Sequence, residues 1–194
     1  MSTFSQTWRS LAAQEVVEDR AARAALGVVA FALATALSAQ AAVWLPWTPV
    51  PVTLQPLFVI LAGALLGARL GAVAIGLYVV VGALGAPVFA NGGGGLLWLL
   101  GPTGGYLLAA PVAAYVSGAV SGREGRGLRL VAGLTLGIAA MYTGGVAQLL
   151  AVSGMSLGAA VAAGVTPFVV GDLTKIGLAF FTVRSVRWAS QNRS

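Results

Sequence analysis

Apolar residues fill this chain in three long blocks, and charged residues stand between the blocks. Residues 24–68, 70–122 and 130–183 carry no charge except at Asp172 and Lys175. Because a membrane-spanning helix needs ~20 apolar residues, each block is long enough for two crossings joined by a turn. The pattern predicts an all-α integral membrane protein built from three helical hairpins. Its six transmembrane helices are expected at 24–45, 55–68, 70–86, 103–121, 129–151 and 165–186.

The composition agrees with residence in a bilayer. Of 194 residues, 58% are hydrophobic and 8% are charged, whereas soluble domains carry about 25% charged residues. Histidine and cysteine are both absent, which excludes a Ser-His-Asp triad, a thiolate nucleophile and metal sites with imidazole or thiolate ligands. We therefore expect no catalytic residue, no cofactor and no metal.

The positions of the arginines predict the topology. The net charge is +6, which in a soluble protein would favour a nucleic-acid partner. Here the arginines cluster at 9–23, 69, 123–129 and 184–193, between the apolar hairpins. Because cytoplasmic flanks collect Lys and Arg, all four clusters are assigned to the cytoplasmic side. Both termini are then cytoplasmic. The expected partner of the apolar helices is a lipid bilayer, and no nucleic-acid partner is expected.

The chain is expected to form a single membrane domain with short extensions. We predict a cytoplasmic amino-terminal segment at 1–23, the membrane domain at 24–187 and a cytoplasmic tail at 188–194. The first segment is either a helix lying at the membrane interface or a frayed tail. The helical spacing of Phe4, Trp8 and Leu11 is typical of an interfacial helix, and both alternatives stay open.

The outer loops, at 46–54, 87–102 and 152–164, are uncharged. The first two are rich in proline and should be stiff, extended lids. Aromatic residues stand in or beside these loops, at Trp47, Trp98 and Tyr106. They are either interfacial anchors of the usual aromatic belt or the wall of a small-ligand site.

The second loop also carries glycines at 92–95, next to Asn91. This run is either a tight turn or a place where backbone approaches a ligand. Leu96 and Leu97 follow it instead of the Lys and Ser/Thr that a nucleotide-binding P-loop requires, and no other stretch of the sequence matches that motif. ATP hydrolysis by this chain is not expected.

Asp172 and Lys175 are the charges that membrane topology does not explain. They are three residues apart on one face of the last helix, and charges inside a bilayer normally face the bundle interior. They are a structural ion pair, a proton relay or polar anchors of a substrate site, and their place below the outer loops favours the last. Asn91 or Gln55 could add an amide that both donates and accepts. The expected ligand is small and largely hydrophobic, with a few polar ends.

Four stretches occur in order along residues 24–186. They are PVPVTLQ at 49–55, GAPVF at 85–89, GPTGGY at 101–106, and Pro167 through GDLTK at 171–175. In this combination the chain resembles the BioY family, the biotin-binding S components of energy-coupling factor (ECF) vitamin transporters. The resemblance implies an S-component fold, capture of biotin at the outer face and a bacterial inner membrane. It implies that Asp172, Lys175 and Asn91 contact the vitamin.

The same resemblance implies partners: a transmembrane coupling subunit and two cytoplasmic ATPase subunits. Small residues four apart on the first helix, Ala30 with Ala34 or Ala32 with Ala36, would allow the close helix approach that docking in lipid requires. The alternative function is a stand-alone secondary transporter or facilitator for biotin or a related molecule. An intramembrane hydrolase is disfavoured because the chain lacks His and has one acidic residue in its membrane part. A structural assembly protein is a further alternative.

Overall fold

The computed structural model describes residues 2–122 and 127–192. Within these ranges the chain is helical apart from its loops, a 3-10 turn at Ala90–Gly92 and an antiparallel bridge between Val43 and Val52. The helices are α1 (Ser2–Gln40), α2 (Gln55–Leu66), α3 (Ala68–Ala83), α4 (Leu96–Leu100), α5 (Gly104–Ser121), α6 (Gly127–Ser153), α7 (Leu157–Gly164) and α8 (Val169–Gln191).

Hydrogen bonds join the loops that were assigned to the outer side. Thr48 Oγ1 donates to the carbonyl of Ala163 at 2.7 Å, which ties the first loop to α7. Gln40 and Gln148, from α1 and α6, donate to backbone carbonyls of the second loop. The three loops therefore lie together at one end of the bundle, as the hairpin pattern predicted.

Glycines allow the central helices to touch backbone to backbone. A Cβ atom at Gly63 of α2 would overlap the carbonyl group of Ala114 in α5, and one at Gly118 of α5 would lie 2.5 Å from the amide nitrogen of Ala68. Gly67, at φ +87°, turns the chain between α2 and α3 in a conformation that favours glycine. This seam brings α2, α3 and α5 together as one compact group.

Several helix ends differ from the expected spans. The first helix ends at Gln40 rather than at 45 because residues Val43 and Val52 pair across the first loop. The last begins at Val169 rather than at 165, after a 50° bend that separates it from α7. The loop at 87–102, predicted to be extended, contains α4, and the loop at 152–164 contains α7. The spans at 55–68, 70–86, 103–121 and 129–151 agree with α2, α3, α5 and α6 within three residues.

The apolar helices vary in length. By length and composition, Asp19–Gln40, Gly104–Ser121 and Gly127–Ser153 can each cross a membrane, and α7 with α8 is a bent fourth candidate. The other apolar helices, α2 and α3, have 12 and 16 residues. The arrangement is compatible with six spans, and that number stays a prediction.

Some of the residues used to predict the topology lie outside the ranges that the structure describes. Arg123, Arg126 and Arg193, three of the arginines that mark the cytoplasmic side, lie outside the described residues. The same holds for the side chains of residues 2–18, whose backbone belongs to α1. The placement of 1–23 along the interface and the domain limits stay predictions.

Arg187 joins three helices at the end opposite the outer loops. Its Nη2 donates to the carbonyl of Ala64 in α2 at 3.0 Å and to that of Gly122, after α5, at 2.8 Å. Both carbonyls lie at helix C-termini, where the partial negative charge attracts a cation.

We expect Arg187→Gln to lower the free energy of unfolding by roughly 2 kcal/mol, because two hydrogen bonds from a charged donor are weakened or lost. Thermal unfolding of the purified protein in detergent measures this. Arg129→Gln is the control, since Arg129 is exposed. Equal unfolding temperatures for the two variants would contradict the role given to Arg187.

Candidate ligand-binding site

A cavity lies below the outer loops, between the helices of the bundle. Its empty space, the open mouth included, is about 770 Å³. Apolar and aromatic side chains form much of its wall, and a smaller number of polar groups face it. The polar and ionisable lining residues are Thr35, Thr53, Gln55, Tyr78, Thr103, Tyr106, Tyr142, Asp172 and Lys175.

Asp172 and Lys175 form an ion pair in the wall of this cavity. Lys175 Nζ donates to Asp172 Oδ1 at 2.6 Å. Asp172 is 4% exposed and Lys175 is 6% exposed. Tyr142 of α6 donates from its hydroxyl to Asp172 Oδ2 at 2.5 Å. Each carboxylate oxygen thus has a donor from the protein, while the ammonium group keeps two N–H bonds for other acceptors. The spacing of three residues on α8 makes this geometry possible.

A second polar group faces the same cavity from α2 and α3. Gln55 donates from its side-chain amide to the hydroxyl of Tyr78. Its Oε1 accepts from Thr53 Oγ1 at 3.1 Å. Gln55 therefore has a fixed orientation and retains one N–H bond and part of its acceptor capacity. Neutral and charged polar groups are both available to one ligand.

Tyr106 and Trp98 contribute aromatic surface to the cavity. The hydroxyl of Tyr106 donates to the carbonyl of Gly164, at the end of α7, at 2.6 Å. Its ring packs against Gly145 of α6, where no Cβ atom could fit. Trp98 lies in α4 and packs on Gly93. Each of these aromatic rings thus packs directly against a glycine.

Two other predicted site residues stand apart from the cavity. Trp47 is 67% exposed, and Asn91 is exposed in the 3-10 turn with φ +52°. Neither is among the described residues that line the cavity. Ligand contacts by Trp47 and Asn91 stay predictions.

The alanines of α1 separate into two faces. Ala32 is 8% exposed and packs with Tyr78 and Phe89, and Ala36 is partly buried against the same cluster. Ala30 is exposed and Ala34 is half-buried. The row formed by Ala30 and Ala34 is therefore the more accessible of the two to a partner helix.

Sequence reasoning did not find Tyr142, Tyr78 or Thr53. A signal for the tyrosines exists, because a hydroxyl inside an apolar span needs a hydrogen-bond partner and should face the bundle interior. Tyr78 and Tyr142 lie in uncharged spans and do have such partners, Gln55 and Asp172. Applied to every tyrosine within a span, this rule would have included both.

The chain was compared with protein families and known proteins. A model of the BioY family matches residues 9–192. The probable biotin transporter BioY of Pyrococcus horikoshii is 41% identical over 152 residues, which cover 78% of this chain and 88% of that protein. The biotin transporter BioY of Thermotoga maritima is 38% identical over 135 residues, which cover 70% and 79%.

The fold was compared with solved structures. The crystal structure of the S-component for biotin from an ECF-type ABC transporter superposes with a TM-score of 0.81, at 22% sequence identity, and the match covers 87% of this chain and 93% of that one. This likeness confirms the S-component fold expected from the sequence. Together with the family match along nearly the whole chain, it leads to one assignment: the chain is a membrane protein that belongs to the BioY family.

Proposed function

We propose that this chain captures biotin in the cavity from the outer side of the membrane and mediates its uptake. In this proposal it is the substrate-binding subunit of an ECF-type, ATP-driven transporter. The observation that carries the proposal is the buried pair of Asp172 and Lys175 in the wall of a cavity below the outer loops. The names of the relatives, which are biotin transporters, support the choice of ligand.

The chemistry of the cavity is complementary to biotin. Biotin has a ureido ring with two N–H donors and a carbonyl, an apolar thioether ring, an aliphatic chain and a carboxylate. Lys175 can donate to a carbonyl or carboxylate, and Gln55 can both donate and accept. Asp172 can accept further hydrogen bonds on its remaining lone pairs. The apolar and aromatic wall, including Trp98 and Tyr106, suits the rings and the chain.

Energy for uphill transport comes, in this proposal, from partner subunits. The sequence has no P-loop, so we assign ATP hydrolysis to two cytoplasmic ATPase subunits that act through a transmembrane coupling subunit, and no enzymatic activity to this chain. The location is then a bacterial inner membrane. A stand-alone transporter is the alternative function, and it predicts uptake without these partners.

The exposed row on α1 is the proposed docking face for the coupling subunit. We expect Ala30→Trp to reduce biotin uptake at least ~10-fold, since a large side chain prevents close helix approach in lipid. Biotin binding by the purified variant should be unchanged because Ala30 does not line the cavity. The assay is uptake of labelled biotin by cells that produce this chain together with an ECF module.

Ala139→Trp is the matched control, because Ala139 is also an exposed alanine on a long helix, α6, and it should keep normal uptake. Normal uptake by Ala30→Trp would refute the docking face. Equal uptake with and without the ECF module would instead favour the stand-alone transporter.

A further inference from the structure

The segment 88–101 forms part of the cavity wall and is held by two glutamine side chains from other helices. Ala90 and Trp98 of this segment line the cavity. The glutamines are Gln40, the last residue of α1, and Gln148, near the outer end of α6. Neither glutamine lines the cavity among the residues described, so any influence on a ligand acts through the segment.

Gln40 holds the first part of the segment with both ends of its amide group. Its Nε2 donates to the carbonyl of Phe89 at 3.2 Å, with that of Val88 at 3.4 Å, and also bonds within α1 to the carbonyl of Ala36 at 3.0 Å. Its Oε1 accepts from the backbone N–H of Gly92 at 3.0 Å. These contacts enclose the 3-10 turn that contains Ala90. An amide is the side-chain group that can donate and accept in this way without carrying charge.

Gln148 holds the other end. Its Nε2 donates to the carbonyls of Leu99 and Gly101 at 3.0 and 3.1 Å. Leu99 belongs to α4 and is buried with Tyr78 and Leu107, so the bond fixes the helix that presents Trp98 to the cavity. The carbonyl of Leu99 lies in the last turn of α4, where the helix offers it no donor. That of Gly101, which follows α4, also accepts from the N–H of Gly104 at 3.0 Å.

The parts of the segment between these two attachments are packed against one another. Phe89 is fully buried, and its ring meets that of Tyr78 edge to face, with 5.6 Å between centroids. The backbone N–H of Phe89 donates to the carbonyl of Gly93 at 2.9 Å, and the ring of Trp98 lies on Gly93. A displacement at either glutamine is therefore transmitted to Trp98 and Tyr78, which both line the cavity.

We propose that Gln40 and Gln148 are positioning residues that fix this segment over a bound ligand and set the rate at which the ligand leaves. The outer loops carry no charge, and the hydrogen bonds of the two glutamine amides hold the segment without introducing one. Hydrogen bonds between neutral groups contribute modest net free energy, so the segment can open during each transport cycle. The inference rests on the proposed binding of biotin.

The experiment combines two measurements on the purified full-length chain and on Gln40→Met and Gln148→Met, which keep side-chain length. Dissociation of labelled biotin should be ~10-fold faster in each variant, the factor that corresponds to about 1.4 kcal/mol. Hydrogen exchange without biotin should be faster within 88–101 and unchanged in the rest of the bundle. Gln148→Lys restores a donor for both carbonyls and should return the dissociation rate toward the original value.

Thr143→Ala is the control on α6, because Thr143 is exposed and its hydroxyl bonds within its own helix, to Ala139. It should change neither measurement. Unchanged dissociation rates in both methionine variants, or faster dissociation without faster exchange in 88–101, would overturn the positioning role. If the unaltered chain bound no biotin, the proposed function would fail, while exchange within 88–101 would still show whether the glutamines hold the segment.

Discussion

Asp172→Asn should lower the affinity of the purified chain for biotin by at least ~100-fold and also destabilise the protein. Hydrogen bonds to charged groups contribute about 1.5–3 kcal/mol, and the upper part of that range corresponds to ~100-fold in affinity. The variant also leaves Lys175, 6% exposed, as a buried cation without its partner. Breaking a buried pair in this way costs about 3–5 kcal/mol.

The double variant Asp172→Asn/Lys175→Met separates binding from folding. It removes both charges, so it should recover much of the thermal stability that Asp172→Asn loses, because a neutral replacement of a buried pair is often tolerated. It should not recover biotin binding. Binding is measured by titration calorimetry and stability by thermal unfolding in detergent.

The three interpretations of the pair give different results when Lys175→Met alone is measured beside Asp172→Asn and the double variant. A purely structural ion pair predicts that binding returns together with stability in the double variant. A proton relay predicts that binding survives in each single variant while uptake fails. Loss of binding in all three variants, with stability restored in the double variant, is the result expected of ligand anchors.

Gly118→Val should prevent the chain from folding or lower its free energy of unfolding by about 3 kcal/mol, the upper end of the usual cost of overpacking a core. A Cβ atom at Gly118 would lie 2.5 Å from Ala68 N and equally close to the carbonyl oxygen of Gly63. These contacts are backbone atoms, which cannot rotate away as a side chain can. The yield of monodisperse protein and its thermal unfolding in detergent measure the effect.

Gly76→Val is the matched control, since a Cβ atom at Gly76 of α3 would meet no described atom within 4 Å. It is the same substitution in a helical glycine of the same bundle. It should yield folded protein with normal biotin binding. Similar yields and unfolding temperatures for Gly118→Val and Gly76→Val would contradict the close packing of α2, α3 and α5.

The apolar blocks made the helices predictable because burial in lipid requires long uncharged stretches. The ends of helices were less predictable. Residues 41–45 are apolar enough to extend α1, but they pair with the other side of the first loop at Val43. Residues 157–164 were predicted to be part of a loop between spans, yet they form α7. Ser156 caps the start of this helix, because its side-chain oxygen accepts from the N–H of Ala159.

The candidate site was predictable where charge made it conspicuous. Asp172 and Lys175 stood out because the membrane part has so few charges, and the structure brings them to the same cavity as Gln55, Trp98 and Tyr106. Tyr142 could not be paired with Asp172 from sequence, because that contact joins residues 30 positions apart on two helices. Nothing in the sequence singled out Gln40 or Gln148, because they hold backbone groups of a loop about 50 positions away.

The decisive measurement is titration of biotin into the purified unaltered chain, without any partner subunit. We expect saturable binding of one biotin per chain, with affinity lower by at least ~100-fold in Asp172→Asn and in the stable double variant Asp172→Asn/Lys175→Met. Absence of saturable binding to folded protein, or equal affinity in the unaltered chain and the double variant, would contradict it.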